Sequence, residues 1–235
     1  MSNIVLLTAG GTGTRAHSCI PKQFISVNDK PIIVYTLEAF QKHPEIDYIV
    51  VTCLDGWNEC LKSYAKQFGI TKLKSIVAGG SSGFESILNG INEIKTFAND
   101  DDIVLIHDGN RPNVSVQNIS ECIKVSIEKG NAITVIPCAE VVFENQNNKL
   151  NLLDRDKLVR VQTPHGAKLK DLLEIYQRAI KDSNQHLLGY CSLLYHYNIP
   201  MNFIYATEKN FKITYPEDIE LFKGLKLLDS INHQK

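Results

Sequence analysis

Apolar and polar positions in this chain follow two rhythms. Through about residue 140, short apolar runs rich in β-branched residues alternate with stretches of helical periodicity. The runs at 4–7, 48–53, 75–78, 102–107 and 132–137 predict buried strands. Between them, 30–41 places Ile33, Leu37 and Phe40 at helical spacing, 57–68 reads as a helix, and 85–94 aligns Ile87, Ile91 and Ile94 on one stripe. Pro31 falls in the first turn of its helix, where a missing N–H costs little, and Ser115 caps a helix that reaches Lys129. Strands separated by helices of this length predict an α/β fold, a mostly parallel sheet with helices on both faces. Ligands of such sheets bind beyond the carboxyl ends of the strands.

The rhythm changes at Cys138. Apolar segments at 140–143 and 149–152 flank a polar tip at 144–148, which predicts a hairpin, and 159–162 returns toward the body. A projecting hairpin with little local chain to cover it is either a dimerisation arm or a flap folded on its own domain. An amphipathic helix follows at 168–181, a second helix rich in aromatics at 186–197, and strands at 202–205 and 211–214. Pro216-Glu217-Asp218 opens a last helix reaching about Leu228, and the tail after Asp229 is expected to fray. No repeat or low-complexity linker breaks the chain, so one domain over 1–235, with an arm at about 138–162, is expected.

Composition narrows the function classes. The 235 residues are 43% hydrophobic with a formal net charge of -1, ample for a core and without the basic excess that attracts nucleic acid or anionic membrane. No apolar run approaches a membrane span, and the N-terminus lacks a signal-peptide pattern. The six cysteines, Cys19, Cys53, Cys60, Cys122, Cys138 and Cys191, form no C-x-x-C pair. These features predict a soluble, cytoplasmic protein with reduced cysteines.

The candidate chemistry lies in loops that directly follow strands. Leu6-Leu7-Thr8-Ala9-Gly10-Gly11-Thr12-Gly13-Thr14-Arg15 ends an apolar run in glycines, and Pro21-Lys22-Gln23 follows. Glycines let the main chain turn tightly and approach a phosphate, while Arg15 and Lys22 supply fixed positive charge. The P-loop pattern fails, because Gly13 precedes Thr14-Arg15 rather than Lys-Ser/Thr. Gly11, Gly13 and Ala16 fit G-x-G-x-x-A, but Pro21 interrupts, and Glu38, the acid at suitable distance, falls in a helix. A second loop, 79–83, and a third, His107-Asp108-Gly109-Asn110-Arg111-Pro112, should share the same sheet edge and form one pocket. Asp108 suits Mg²⁺ or ribose hydroxyls, whereas His107 reads as a buried histidine rather than a base. Lys212 either points into the pocket or snorkels to solvent, and Arg155 and Arg160 read as solvated. The residues alone suggest nucleotide binding with transfer at a phosphate. A nicotinamide-dependent oxidoreductase and a non-catalytic nucleotide-binding protein remain the alternatives.

The ordered set of motifs resembles the cytidylyltransferases of the 2-C-methyl-erythritol 4-phosphate and ribitol 5-phosphate type. It comprises 9–15 with Pro21-Lys22-Gln23-Phe24, Gly79-Gly80 with Glu85-Ser86-Ile87, His107-Asp108-x-x-Arg111-Pro112, Gln162-Thr163-Pro164, and Asn210-Phe211-Lys212-Ile213-Thr214 with Pro216-Glu217-Asp218. The resemblance implies a Rossmann-like domain whose hairpin arm reaches into a dimer partner. It implies attack of a sugar-alcohol phosphate on the α-phosphorus of CTP, with Mg²⁺ or another divalent cation. Arg15 and Lys22 would stabilise the transition state. Thr8, Ala9, Gly10, Gly11, Thr12 and Gly13 would hold CTP with Gly79, Gly80, Ser81, Ser86 and Asp108. Lys212, Arg111, Arg155 and Thr163 would serve the acceptor side, Lys212 counting among the catalytic residues. Three places depart from the family pattern: Gly83 replaces an Arg, Leu188-Gly189 a Thr-Asp pair, and Lys209 an acid. These point to ribitol 5-phosphate or a related polyol phosphate feeding a surface polymer, with methylerythritol phosphate for isoprenoid synthesis as the alternative.

Overall fold

The computed structural model describes residues 1–11, 20–147, 149–187 and 189–232. In chain order, β1 (Asn3–Ala9) is followed by the two-residue strands β2 (Ser26–Val27) and β3 (Lys30–Pro31), then α1 (Ile32–Lys42), β4 (Tyr48–Cys53) and α2 (Asn58–Gln67). Next come β5 (Leu73–Ala78), α3 (Gly83–Lys95), β6 (Ile103–Asp108), α4 (Val116–Lys129) and β7 (Asn131–Pro137). The remainder is the hairpin β8 (Val142–Gln146) and β9 (Lys149–Leu153), then β10 (Val159–Lys168), α5 (Leu169–Lys181), α6 (Tyr190–His196), β11 (Phe203–Tyr205) and α7 (Pro216–Asn232).

The central sheet has the order β11-β7-β10-β6-β1-β4-β5. Every neighbouring pair is parallel except those of β10, which runs antiparallel between β6 and β7. Strands buried on both faces carry continuous apolar runs, and Ile4, Val5, Leu6 and Leu7 are each fully buried. One helical layer, α1, α2 and α4, packs Leu37, Phe40, Leu61 and Ile119 against Val5 and Leu7. The other, α3, α5 and α6, packs Ile91, Tyr176 and Leu193 against Ile4 and Leu6. Burying each such side chain stabilises the fold by about 1.5–3 kcal/mol. The amphipathy of α5 decides its side: Leu169, Leu172, Leu173, Tyr176 and Ala179 form its buried stripe. A small third cluster, Val27, Ile32, Ile213 and Phe222, fixes α7 over the β2–β3 ribbon.

Several boundaries differ from the sequence expectation. Lys30 and Pro31 form a strand, so α1 begins at Ile32 with Pro31 as its N-cap. The hairpin tip is shorter than 144–148, because Glu144 to Gln146 pair in the ladder with Asn151 to Lys149. The helix expected at 186–197 spans only Tyr190–His196, after Gly189. The strand expected at 211–214 is irregular extended chain, and α7 continues to Asn232 rather than fraying after Asp229. The return at 159–162 is the start of a ten-residue central strand, with a register shift between Val161 and His165. A hairpin excursion can be read locally, but its insertion between two parallel strands is set by the sheet.

Candidate functional site

Registers Thr8↔Thr52, Thr8↔Asp108 and Cys53↔Ala78 end β1, β4, β5 and β6 along one edge. The expected convergence of the three loops is therefore met in a pocket of about 620 Å³, lined by Thr8 to Gly11, Lys22, Gly80, Ser81, Ser86, Asp108, Asn110 and Lys212 among others. Thr12, Gly13 and Arg15 lie outside the described residues.

Two glycines set how closely the first two loops approach. A Cβ on Gly79 would stand 2.8 Å from the Gly10 Cα, and one on Gly10 would stand 3.1 Å from the Gly79 Cα. Only glycine permits this backbone contact. Beside it, Ser82 caps α3 by accepting from the Glu85 N–H at 3.1 Å, while Glu85 accepts from the Ser81 N–H at 2.7 Å. The Ser86 hydroxyl accepts from the Gly80 N–H at 3.0 Å and donates to the Ser82 carbonyl at 2.9 Å. Ser86 thus shapes the loop, whatever else it touches.

Gln23 is a participant that residue type alone did not single out. It is 3% exposed, and its amide donates to the carbonyls of Ala9 at 2.8 Å and Gly11 at 3.0 Å. It ties the short 3-10 turn Lys22–Phe24 to the glycine loop, bringing Lys22 to the pocket wall. The signal was its place beside Lys22, but an amide carries no hint that its partners are main-chain oxygens.

At the centre stands Asp108, the last residue of β6. Lys212 Nζ donates to one carboxylate oxygen at 2.8 Å and Arg111 Nε to the other at 2.8 Å. Burial alone would raise the Asp108 pKa; Lys212 and Arg111 outweigh it and hold the carboxyl well below the usual range. Charge-assisted bonds of this kind are short and strong. Lys212 reaches the pocket from irregular chain rather than a strand. Its neighbour Ile213 is clipped to Asn110 at both main-chain polar groups, donating its N–H to the Asn110 carbonyl at 2.9 Å and accepting from the Asn110 amide.

A buried relay sits behind Asp108. His107 is fully buried, and burial lowers its pKa to about 4, so it is neutral, as expected of a non-base. Its Nε2 lies 3.1 Å from the Arg111 carbonyl, which only accepts, so Nδ1 must accept from the Thr163 hydroxyl at 3.1 Å. That hydroxyl also accepts from the Asp108 N–H at 3.1 Å. The register shift in β10 makes this possible, and the carbonyls it frees are satisfied by Asn210 at 2.8 Å and Thr134 at 2.6 Å. Thr163 and Arg111 therefore support the centre from within; Arg111 is 9% exposed and also donates to the Asn210 carbonyl at 2.9 Å. Arg155 is not brought to this pocket within the chain. It sits exposed on the arm and donates to the Ala139 carbonyl at 3.2 Å.

The arrangement joins a glycine-walled cavity to fixed cations around a clamped carboxylate, the requirements for holding a polyphosphate and offsetting charge that develops on it. The described residues contain no cluster of three His, Cys, Asp or Glu that could form a metal cage.

Comparison with known proteins agrees with this geometry. Residues 3–224 match the family described as IspD: 2-C-methyl-D-erythritol 4-phosphate cytidylyltransferase. The chain is 38% identical to a ribitol-5-phosphate cytidylyltransferase of Lacticaseibacillus paracasei, over 93% of this chain and 95% of that protein. It is 34% identical to a 2-C-methyl-D-erythritol 4-phosphate cytidylyltransferase of Clostridium novyi, over 97% of each. Among solved structures, that of 2-C-methyl-D-erythritol 4-phosphate cytidylyltransferase from Francisella tularensis superposes with a TM-score of 0.79 at 26% identity, covering 94% of this chain and 98% of that one.

Proposed function

Because this chain belongs to the 2-C-methyl-D-erythritol 4-phosphate cytidylyltransferase (IspD) family and so is a nucleotidyltransferase that cytidylylates a polyol phosphate from CTP, we propose that its acceptor is ribitol 5-phosphate. The observation that carries this choice is the 35–38% identity, over almost the whole of both chains, to proteins named ribitol-5-phosphate cytidylyltransferase. Lys209 departs from the family pattern, and the neighbouring Glu208 pairs with Arg160.

In this reading an acceptor phosphate oxygen forms a bond to the α-phosphorus of CTP as the bond to the β-phosphate oxygen breaks, releasing pyrophosphate. The attacking oxygen is already ionised, so no base is needed, in keeping with a buried, neutral His107. Thr8 to Gly11, with Thr12 and Gly13, and Gly79, Gly80, Ser81 and Ser86 hold CTP. Arg15 and Lys22 offset the growing charge, and Lys212, held by Asp108, meets the acceptor phosphate. Arg111 and Thr163 keep Asp108 in place. Arg155 reaches the acceptor only if the arm crosses to a second copy, so this reading includes a homodimer. The apolar face of that arm, Val141, Phe143, Leu150 and Leu152, is more than half exposed at every position.

A magnesium ion fits these residues only if triphosphate oxygens supply most of its ligands and Asp108, whose two oxygens already accept from Lys212 and Arg111, lends a remaining lone pair. When bound it would neutralise triphosphate charge. The proposal includes a cytoplasmic location, in keeping with five described cysteines all free, and a CDP-polyol product destined for a surface polymer. No described helix is long and apolar enough to cross a membrane.

The test is pyrophosphate release from CTP and Mg²⁺ with ribitol 5-phosphate, methylerythritol phosphate and other polyol phosphates. We expect kcat/KM for ribitol 5-phosphate to exceed the rest by about tenfold or more, a difference of about 1.4 kcal/mol. Preference for methylerythritol phosphate, the reading favoured by the Clostridium novyi relative, would replace the acceptor. Silence with the whole panel would overturn the activity.

A further inference from the structure

A second cavity, of about 450 Å³, opens at the opposite edge of the sheet, where β7 begins. It lies between the end of α4, the side of α5, α6 and the segment running into β11. Its apolar wall is Ile175, Leu194, Ile199 and Pro200. Its size falls within the range of small-molecule sites. Nothing in cytidylyl transfer uses it.

Two polar groups there have no hydrogen-bond partner among the described residues. Tyr190 is 3% exposed and lines the cavity, so its hydroxyl is left to what the cavity holds. Asp171, in the first turn of α5, is partly buried and makes no close ion pair with a described cation, feeling Lys170 and Lys168 only at longer range. The basic residues near it are committed elsewhere. Lys168 and Lys170 both reach Asp101 at 3.0 Å, and Arg178 lies 3.7 Å from Asp182 and over the Tyr197 ring at 4.1 Å. Glu174 adds a second carboxylate to the rim, and Lys129 and Arg178 are the opposing charges on the lining. The carbonyl end of α4 also faces this cavity and carries partial negative charge. Burial raises the Asp171 pKa. Burial, with help from Asp171, also raises that of Tyr190, whose hydroxyl stays neutral and is able to accept as well as donate.

We propose that this cavity binds a small organic cation, a protonated primary amine on a compact apolar body. The ammonium sits between the Asp171 carboxylate and the Tyr190 hydroxyl, and the carbon skeleton lies against Ile175, Leu194, Ile199 and Pro200. An ammonium has three donors and no acceptor, which matches a carboxylate and a phenol oxygen without partners. An anion would meet two carboxylates and a helix C-terminus, against Lys129 and an Arg178 already turned to Asp182 and the Tyr197 ring.

The test is calorimetric titration of the full chain with cyclohexylammonium, with cyclohexanol as a neutral probe of the same shape and cyclohexanecarboxylate as the anion, with and without saturating CTP. We expect one saturable site for the ammonium, tighter than the alcohol by about fivefold or more and unchanged by CTP. Asp171→Asn and Tyr190→Phe should each weaken it by a similar factor while leaving the alcohol unaffected. No saturable binding, equal affinity for alcohol and ammonium, undiminished binding in either variant, or displacement by CTP would each overturn the proposal. Should Asp171→Asn fail to fold, Tyr190→Phe and the cavity-filling Leu194→Trp decide it, the latter by abolishing the site. Because the readout is binding, it stands apart from the choice of acceptor.

Discussion

At the scale of single residues, the site depends on side chains that hold main chain as much as on those that face the pocket. Gln23 donates to two carbonyls of the glycine loop, of which that of Ala9 is buried. Gln23→Leu keeps the volume and removes both donors. An unsatisfied buried polar group costs about 1–3 kcal/mol, so urea unfolding should show a loss of that order. KM for CTP should rise about tenfold as the glycine loop relaxes; unchanged KM would remove Gln23 from loop positioning. Lys212 poses the converse case, since its ammonium is partly exposed and clasped to Asp108. Lys212→Ala should lower turnover about 100-fold or more, the scale of losing one electrostatic donor to a transition state. Circular dichroism should be unchanged, because Arg111 still pairs Asp108. Full turnover in a folded Lys212→Ala would exclude it from the mechanism.

At the scale of elements, β10 and the hairpin carry the most information. Gly166 lets α4 lie against β10: a Cβ there would fall 2.2 Å from Ser126 Oγ and 2.9 Å from Cys122 Sγ. Gly166→Ala should therefore cost about 1–3 kcal/mol by overpacking, read as a lower denaturation midpoint. An unchanged midpoint would mean that α4 moves away freely. The hairpin presents Phe143 opposite Leu152 and Asn145 opposite Leu150, so Phe143, Leu150 and Leu152 share one face. If that face covers a second copy, Leu152→Asp should shift sedimentation from dimer to monomer, since an unpaired buried charge is strongly disfavoured at an interface. A wild-type monomer would show instead that the arm leaves this face in water.

At the scale of the whole molecule, burial of neutral histidines ties stability to pH. His107 and His165 both have pKa values lowered to about 4, chiefly by burial. Above about pH 6.5 both are neutral whether folded or not. Below it the unfolded chain gains protons that the folded protein refuses until about pH 4, so stability falls as pH drops through this window. Each histidine should account for a loss of about 2–3 kcal/mol by pH 4.5. Urea midpoints at a series of pH values check this, and His165→Gln should remove about half of the slope. A flat profile between pH 7 and 4.5 would mean that these side chains titrate as if exposed.

The sequence alone determined the alternation of apolar runs and amphipathic stripes through residue 137, because a strand buried on two faces and a helix buried on one leave distinct periodicities. It also identified the three loops by their glycines and charges, and predicted that they would meet, because successive parallel strands end on one edge. The tertiary structure decided what periodicity cannot express. It set β10 antiparallel between β6 and β7, gave Asp108 two cations at once, turned the donors of Arg111 and the hydroxyl of Thr163 inward, and brought Lys212 in on irregular chain. Apart from Arg111 beside Asp108, the contacts that Asp108 makes with Thr163 and Lys212 join residues 55 and 104 positions apart. Local pattern reports which face of an element is apolar; which polar group meets which is fixed only when the elements pack.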